Sequence, residues 1–448
     1  MRHVQKNALI VSAVLLYPLA VIALFFHGNW YSFFHSYSLA MAFGLLAYCY
    51  FTLALILGAR VKALDRIFGH DRLLIFHGVI AAIALACAIA HALLKELYFP
   101  DDTVQSTLGV LGLAIFLFVI LMTVLLMLET PLDRTPFVSH LTRFIKKRVR
   151  ADYTLLKLLH NFTAPAFALI VLHVLLASPV QETMPKTAFA GLTGALALAF
   201  YAYHKLARPI LCMMNAYAIA SVKRLSGGII EIETVSRRGR ALRHTAGQFA
   251  FFRFIDKSCG FGEHPFTVSS PPSARGPVIT VKALGDFTAK LASLREGTTC
   301  FIDGPYGLFY PRRNDRDLLF LAGGIGITPF LSILRDYAET KRSGNITLLW
   351  SVRHKDEAFA RDELGTIASI LPGLVVRILV TGEPSFGKDV PDSRIDGAII
   401  RESLARLGSA QGAEAYICGP DAFRRSVQGL LLETGFSGKD IFYEAFSF

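Results

Sequence analysis

Apolar residues run in six stretches through the first half of the chain, at about 8–26, 37–58, 73–98, 107–128, 154–177 and 187–205. Each approaches the ~20 residues that a helix rising ~1.5 Å per residue needs to cross a ~30 Å hydrocarbon core, so six spanning helices are predicted. The first stretch is too long for the apolar centre of a cleavable leader and lacks a small-residue cleavage pattern, and it is read as a span. After Pro209 the pattern changes to short alternating runs at 228–233, 249–254 and 278–282, bounded by turn residues. Alternation with period two buries one face of each strand and predicts a small antiparallel β-barrel. From Asp317 onward, apolar runs at 318–321, 346–350, 374–380 and 415–418 alternate with helix-like segments. That order predicts an α/β doubly wound parallel sheet. The expected organisation is a six-helix all-α transmembrane bundle over 1–208, a β-barrel domain over 209–312 and an α/β domain over 313–448.

Composition agrees with a half-membrane chain: 448 residues, 53% hydrophobic, with a mean hydropathy of +0.47. Charge orients it. Lys plus Arg exceed Asp plus Glu by twelve, and they crowd the ends of the apolar stretches at Arg60, Lys62, Arg66 and Arg72, then at Arg143, Lys146, Lys147, Arg148 and Arg150. The alternate loops carry only Lys95 and Lys186. The positive-inside bias then places both termini and the soluble half in the cytoplasm, on a multi-pass protein of the cell (inner) membrane. Lipid headgroups account for the basic excess, and no recognition motif or interleaved aromatic stripe supports a nucleic-acid partner. The six cysteines (Cys49, Cys87, Cys212, Cys259, Cys300, Cys418) form no C-x-x-C pair, which excludes a plant-type iron-sulfur domain and a zinc ribbon. A cytoplasmic setting also argues against structural disulfides.

Four histidines interrupt this apolar sequence in two pairs, His77 with His91 and His160 with His173. An imidazole in a lipid-facing segment costs free energy unless its nitrogens find partners. A lone one is ordinarily a hydrogen-bonded core histidine. Two pairs, each spanning roughly 20 Å of helix, instead suit two bis-histidine haems, one near each leaflet, and no carboxylates accompany them to suggest zinc or di-iron. His77 and His91 share a helix face, whereas His160 and His173 fall out of line on an ideal helix, so Pro165 between them is expected to supply a kink. His27, His35, His70 and His204 lie at span ends or in loops and are read as interfacial.

In the soluble half, His264-Pro265-Phe266-Thr267 follows a strand and is read as a flavin clamp, with Thr267 offering a hydroxyl to the ring. Lys282-Ala283-Leu284-Gly285-Asp286-Phe287-Thr288 opens a short helix whose amides and Thr288 hydroxyl are expected to hold a pyrophosphate. Asp303-Gly304-Pro305-Tyr306-Gly307 reads as the turn that closes the barrel. Gly323-Gly324-Ile325-Gly326-Ile327-Thr328-Pro329 lies between a strand and a helix, where glycines let a dinucleotide approach the backbone and Thr328 caps the helix. Cys418-Gly419-Pro420 ends a later strand at the same sheet edge, where a nicotinamide would lie. Arg353 is a candidate for a 2′-phosphate, with a solvated surface arginine as the alternative.

Taken in order, these residues resemble the ferric reductase and NADPH oxidase superfamily. The resemblance covers nearly the whole chain and adds the C-terminal Glu444-Ala445-Phe446 to the set. It implies a six-helix membrane domain with two b-type haems joined to a ferredoxin-NADP-reductase-like module that binds FAD and NADPH or NADH. It also implies that Phe446 stacks on the isoalloxazine, with Phe448 a lesser candidate, and that Cys418 adjoins the reacting centre. Electrons would pass to dioxygen, giving superoxide, or to a ferric chelate, or to a membrane partner. Lys95, one helical turn beyond His91, would favour a developing anion there, or would simply snorkel. The extracellular loops are short and no EF-hand or docking segment is evident, so a constitutively active, prokaryotic-type enzyme without an obligatory regulatory subunit is expected. The alternative from a different class is a non-redox membrane protein whose soluble half senses nucleotide.

Overall fold

A computed structural model describes residues 2–27, 34–127, 153–260, 262–311, 316–387, 394–407 and 412–445, with the isolated positions 32, 392 and 410. It divides into two compact units, Met1–Pro209 and Ile210–Phe448. The basic 129–150 loop and Phe446 lie outside the described residues.

The first unit is helical: α1 (Arg2–Phe26), α2 (Ser36–Gly58), α3 (Lys62–Phe68), α4 (His70–Tyr98), α5 (Val104–Met127), α6 (Tyr153–His160), α7 (Thr163–Leu175) and α8 (Met184–Ala202). Among the described residues, four stretches are long and apolar enough to cross a membrane by length and composition: Ser36–Gly58, His70–Tyr98, Val104–Thr123 and Leu156–Leu175. That is fewer than the six expected. Leu16–Phe26 is a shorter apolar helix, and α8 is diluted by Pro185, Lys186, Thr187 and two glycines. Small residues let the helices approach closely: Ala47, Ala54, Ala84, Ala166 and Ala197 pack with Tyr48, Phe51, Phe116 and Phe167 in one buried cluster. The Phe51 and Phe116 rings stack with centroids 4.2 Å apart. Ile75, Val79, Ile83, Leu93 and Leu97 turn outward from α4, leaving an apolar surface of the kind that lipid covers.

The break between α6 and α7 falls at Asn161–Phe162, not at Pro165 itself. The reason is local: proline lacks the N–H that would bond the carbonyl four residues back, and its ring crowds that same carbonyl. The Asn161 carbonyl thus released accepts from Ala164 N–H (3.3 Å) and from Tyr201 Oη (3.3 Å) on α8.

The second unit holds two sheets. Strands β1 (Tyr217–Arg224), β2 (Ile229–Ser236), β3 (Phe249–Phe254), β4 (His264–Thr267), β5 (Val278–Lys282) and β6 (Thr299–Tyr306) form an antiparallel sheet in the order β4-β3-β6-β1-β2-β5. Just beyond β4, Ser269 N–H donates to Val278 O of β5 at 2.8 Å, bringing the two edge strands together. Alternate residues Ile219, Ile232, Phe252, Phe254 and Ile279 point into its core.

The other sheet, from β7 (Asp317–Gly323), β8 (Ile346–Val352), β9 (Leu374–Val380), β10 (Ala413–Gly419) and β11 (Ile441–Ala445), is parallel throughout, in the order β11-β10-β7-β8-β9. Helices α9 (Thr328–Thr340), α10 (Arg361–Ile370), α11 (Gly397–Arg406) and α12 (Asp421–Glu433) cover its faces and explain strands as uniformly buried as β7 and β10. The order reverses between β7 and β10, so the crevice for a ligand lies at their carboxyl ends.

Candidate active site

In the first unit the fold brings the four histidines together two by two. His77 on α4 faces His160 at the end of α6, and His91 faces His173 on α7, with ring centroids 6.0 Å apart in each pair and the planes steeply inclined. Two imidazoles facing each other across one metal ion, each bonded at roughly 2 Å, would have ring centroids roughly 6 Å apart. Each pair could therefore hold one metal ion between its two imidazoles. Among the described residues no cluster of three or more His, Cys, Asp or Glu offers a bare metal site.

Three of the imidazoles are oriented by backbone. His77 Nδ1 lies 2.9 Å from Ala54 O, His91 Nδ1 2.8 Å from Ala40 O, and His173 Nδ1 2.7 Å from Gln105 O. A carbonyl only accepts, so the proton sits on Nδ1 and the Nε2 lone pair is left for a ligand bond. His35, by contrast, caps α2 by accepting from Tyr37 N–H at 3.3 Å, and His70 is buried at the start of α4 rather than interfacial.

His91 and His173 line a cavity of about 1140 Å³, whose wall also includes Gly44, Tyr48, Gly109 and Lys95. Lys95 Nζ lies 3.3 Å from Asp101 Oδ2 and 5.4 Å from the centroid of the Tyr37 ring. Hydrogen bonding from Ser106, then the Lys95 ammonium, holds the Asp101 carboxyl below the usual carboxylate range. Lys95 is thus a paired cation at the edge of the cavity.

In the second unit, β3 pairing sets Thr267 opposite Phe249 and His264 opposite Phe252. Thr267 is 4% exposed, and its Oγ1 is buried without a hydrogen-bond partner among the described residues. A buried hydroxyl left this way fits a polar ligand atom, such as a flavin nitrogen or oxygen. The His264 ring stacks on Phe287 at 3.5 Å between centroids, and Phe266 lies parallel to Phe287 at 6.3 Å. Pro265 shares this strand. Lys282 Nζ pairs with Glu357 at 2.9 Å. Thr288 departs from expectation: its Oγ1 accepts from Leu284 and Gly285 N–H (3.1 and 3.0 Å) and donates to Gly285 O, locking the turn instead of facing a phosphate. The helix that it enters is five residues long, too short to carry much dipole.

At the crevice, a Cβ on Gly326 would lie 2.3 Å from Cys418 O, and one on Gly419 would lie 3.1 Å from Gly323 Cα. These glycines let the carboxyl ends of β7 and β10 pack backbone to backbone. Gly324 adopts φ +56°, and its carbonyl accepts from Trp350 Nε1 at 2.8 Å. Thr328 and Pro329 are buried in the first turn of α9, and Thr328 Oγ1 donates to Ile325 O (3.2 Å) from inside the helix, not from the capping position. Cys418 is fully buried, backbone and side chain alike, with its carbonyl packed against Gly326, so the thiol expected beside the reacting centre is not exposed to it, while Pro420 is exposed. Glu444 pairs with Cys418 across β10–β11, and its Oε1 would be 3.1 Å from a Cβ on Gly307. Arg353 follows β8 and is exposed, with Glu357 accepting from its N–H at 3.4 Å.

Arg335 escaped the sequence reading. It binds Glu363 through Nε and Nη2 (2.5 and 2.8 Å) and donates through Nη1 to Ser269 O (2.8 Å), while Ser332 Oγ donates to Ser270 O (2.8 Å). Helix α9 therefore pins the segment that follows the His-Pro-Phe-Thr strand.

Comparison with known proteins finds relatives of the second unit. Residues 214–309 match the family model of an FAD-binding domain, and residues 320–429 that of the oxidoreductase NAD-binding domain. Among curated relatives, the ferredoxin reductase component of 3-ketosteroid-9-alpha-monooxygenase from Mycolicibacterium smegmatis is 27% identical over 209 residues, covering 46% of this chain and 56% of its own length. Ferric reduction oxidase 7 of Arabidopsis thaliana is 32% identical over 167 residues, covering 31% of this chain and 22% of its own length. The chain spans about half the length, or less, of such relatives. Among solved structures, the flavohaem-like FAD/NAD-binding domain of nitric oxide dioxygenase from Vibrio cholerae aligns with 52% of this chain and 98% of its own, at 21% identity and a TM-score of 0.46. Residues 214–309 and 320–429 thus carry the FAD-binding and NAD-binding domains of an oxidoreductase.

Proposed function

We propose that this oxidoreductase works across a membrane, passing electrons from NAD(P)H and FAD through two b-type haems to an acceptor on the outer face, dioxygen being the acceptor and superoxide the product. The observation that carries the reading is the pair of 6.0 Å imidazole separations on helices apolar enough to span a bilayer. When bound, the flavin converts a two-electron donor into single electrons and the haems relay them. The chain supplies position and environment. His77 with His160, and His91 with His173, would hold one haem each, with the Nδ1–H bonds of three of them fixing the ligand tautomer. The Thr267 hydroxyl would meet the flavin, beside the His264–Phe287 stack. The nicotinamide end would lie at the crevice beside Gly324, which has nothing within 4 Å of its would-be Cβ, with Gly323, Gly326 and Gly419 holding β7 and β10 together beneath it, and Arg353 would meet a 2′-phosphate. The six-span topology, with both termini inside, and closure of the antiparallel sheet as a barrel belong to the same reading.

The similarity to ferric reduction oxidase 7 favours a second acceptor, a ferric chelate, on the same path. Reduction of cytochrome c in proteoliposomes, with and without superoxide dismutase, separates the two. Dismutase-sensitive reduction is expected. Dismutase-insensitive reduction together with rapid reduction of an Fe(III) chelate would remove dioxygen as the acceptor.

A further inference from the structure

We propose that Gly44, Gly58 and Gly109 are positioning residues for the paired histidines, each clearing the helix surface over the carbonyl that holds an imidazole Nδ1–H. This rests on the bis-histidine reading above and extends it to residues beyond the four histidines. The three accepting carbonyls belong to Ala40, Ala54 and Gln105, and the residue four positions later is glycine in every case: Gly44, Gly58 and Gly109. The spacing has a physical reason. In an α-helix each Cα–Cβ bond tilts toward the N-terminus, so the side chain at i+4 overhangs the carbonyl of residue i. Only glycine leaves that oxygen open to a group arriving from a neighbouring helix.

The clearances agree. A Cβ on Gly44 would lie 2.9 Å from His91 Nδ1, one on Gly109 would lie 2.8 Å from His173 Nδ1, and one on Gly58 would lie 3.3 Å from His77 Cε1. Gly78, adjacent to His77 on the same helix, has nothing within 4 Å of its would-be Cβ. Gly112 and Gly194 are also closely packed, but against Ile170 and against Tyr48 and Val171, so what marks Gly44, Gly58 and Gly109 is that the group they make room for is an imidazole.

The fourth place in the pattern is filled. Gly44 and Gly58 stand fourteen residues apart on α2, matching His77 and His91 on α4, and the same step along α5 leads from Gly109 to Thr123. The Thr123 hydroxyl donates to Val119 O at 2.8 Å, so the carbonyl in the fourth register carries its own side-chain partner. Among the described residues, the His91/His173 pair thus has two glycine seats and the His77/His160 pair has one. An imidazole whose Nδ1–H is held by a carbonyl is a more basic ligand that favours the oxidised metal, so losing the bond should raise the midpoint potential.

The test uses the full-length holoprotein carrying G44A, G58A, G109A or, as control, G78A. Haem content is read by pyridine haemochrome and midpoint potentials by redox titration, with FAD content and elution volume checked against wild type. G44A and G109A should lower haem from two toward one per chain. G58A, where His77 must yield by only a few tenths of an ångström, should keep both haems and raise one potential. G78A should match wild type. If G44A and G109A do not accumulate, G58A decides alone, and an unchanged pair of potentials in it overturns the inference. Wild-type protein without haem would instead defeat the functional reading itself, while two haems in wild type and in all variants, at unaltered potentials, would defeat only the glycine seats.

Discussion

Replacing Thr267 by Val should move two measurements in opposite directions. The Thr267 Oγ1 is buried with no hydrogen-bond partner among the described residues, so in the flavin-free protein it bears a desolvation cost with nothing to offset it. Mutational data put that cost at about 1–3 kcal/mol for a hydroxyl. Valine keeps the shape and removes the polar atom, so the FAD-free variant should gain about 1–2 kcal/mol. For a unit of this size that is a melting point higher by roughly 2–8 °C. The same change deletes the group that would bond the flavin, which should weaken FAD binding by about 1 kcal/mol, or roughly fivefold. Differential scanning fluorimetry of FAD-stripped protein and fluorescence titration with FAD give the two numbers. A variant that melts lower without FAD and binds FAD as tightly as wild type would show that Thr267 is an ordinary core contact, and the clamp would have to be sought elsewhere.

Other predictions address the remaining parts of the module. Gly326→Ala places a Cβ 2.3 Å from Cys418 O and should abolish steady-state NAD(P)H oxidation while leaving FAD content near wild type. Arg335→Ala removes the bonds to Glu363 and Ser269 O, and with the arginine side chain 19% and the glutamate 38% exposed the loss should be about 2 kcal/mol, seen as a lower urea midpoint at unchanged slope. Arg353→Ala should raise KM for NADPH more than for NADH, and an unchanged ratio would show that the residue does not select the 2′-phosphate.

What the sequence made legible follows from which forces act locally. Imidazoles among lipid-facing residues are conspicuous because their burial is costly, so His77, His91, His160 and His173 stand out before any fold is known. A break near Pro165 was also legible, but its place at Asn161 follows from the carbonyl four residues back, and the Tyr201 hydroxyl that donates to it is forty residues distant. Strands β2, β3, β5 and β7 to β10 appear as alternating or continuous apolar runs. Strand β1 does not, since Ala218, Ala220 and Ser221 dilute its alternation. Thr288 has the composition of a phosphate-binding turn, yet its hydroxyl closes the turn on itself. Arg335 and Trp350 were invisible because their partners, Ser269 O and Gly324 O, lie 66 and 26 residues away and are backbone atoms that no motif marks. The glycine seats were hidden likewise: a glycine in a membrane helix is common, and its meaning here depends on which imidazole arrives from the next helix.

The central claim is that each 6.0 Å histidine pair holds a haem. Pyridine haemochrome analysis of detergent-purified full-length protein, scaled to chain concentration, tests it most directly. The account predicts two b-type haems per chain, falling to one when either His91 or His173 is replaced by Ala. A purified chain that binds FAD but shows no Soret band and no haemochrome would contradict it.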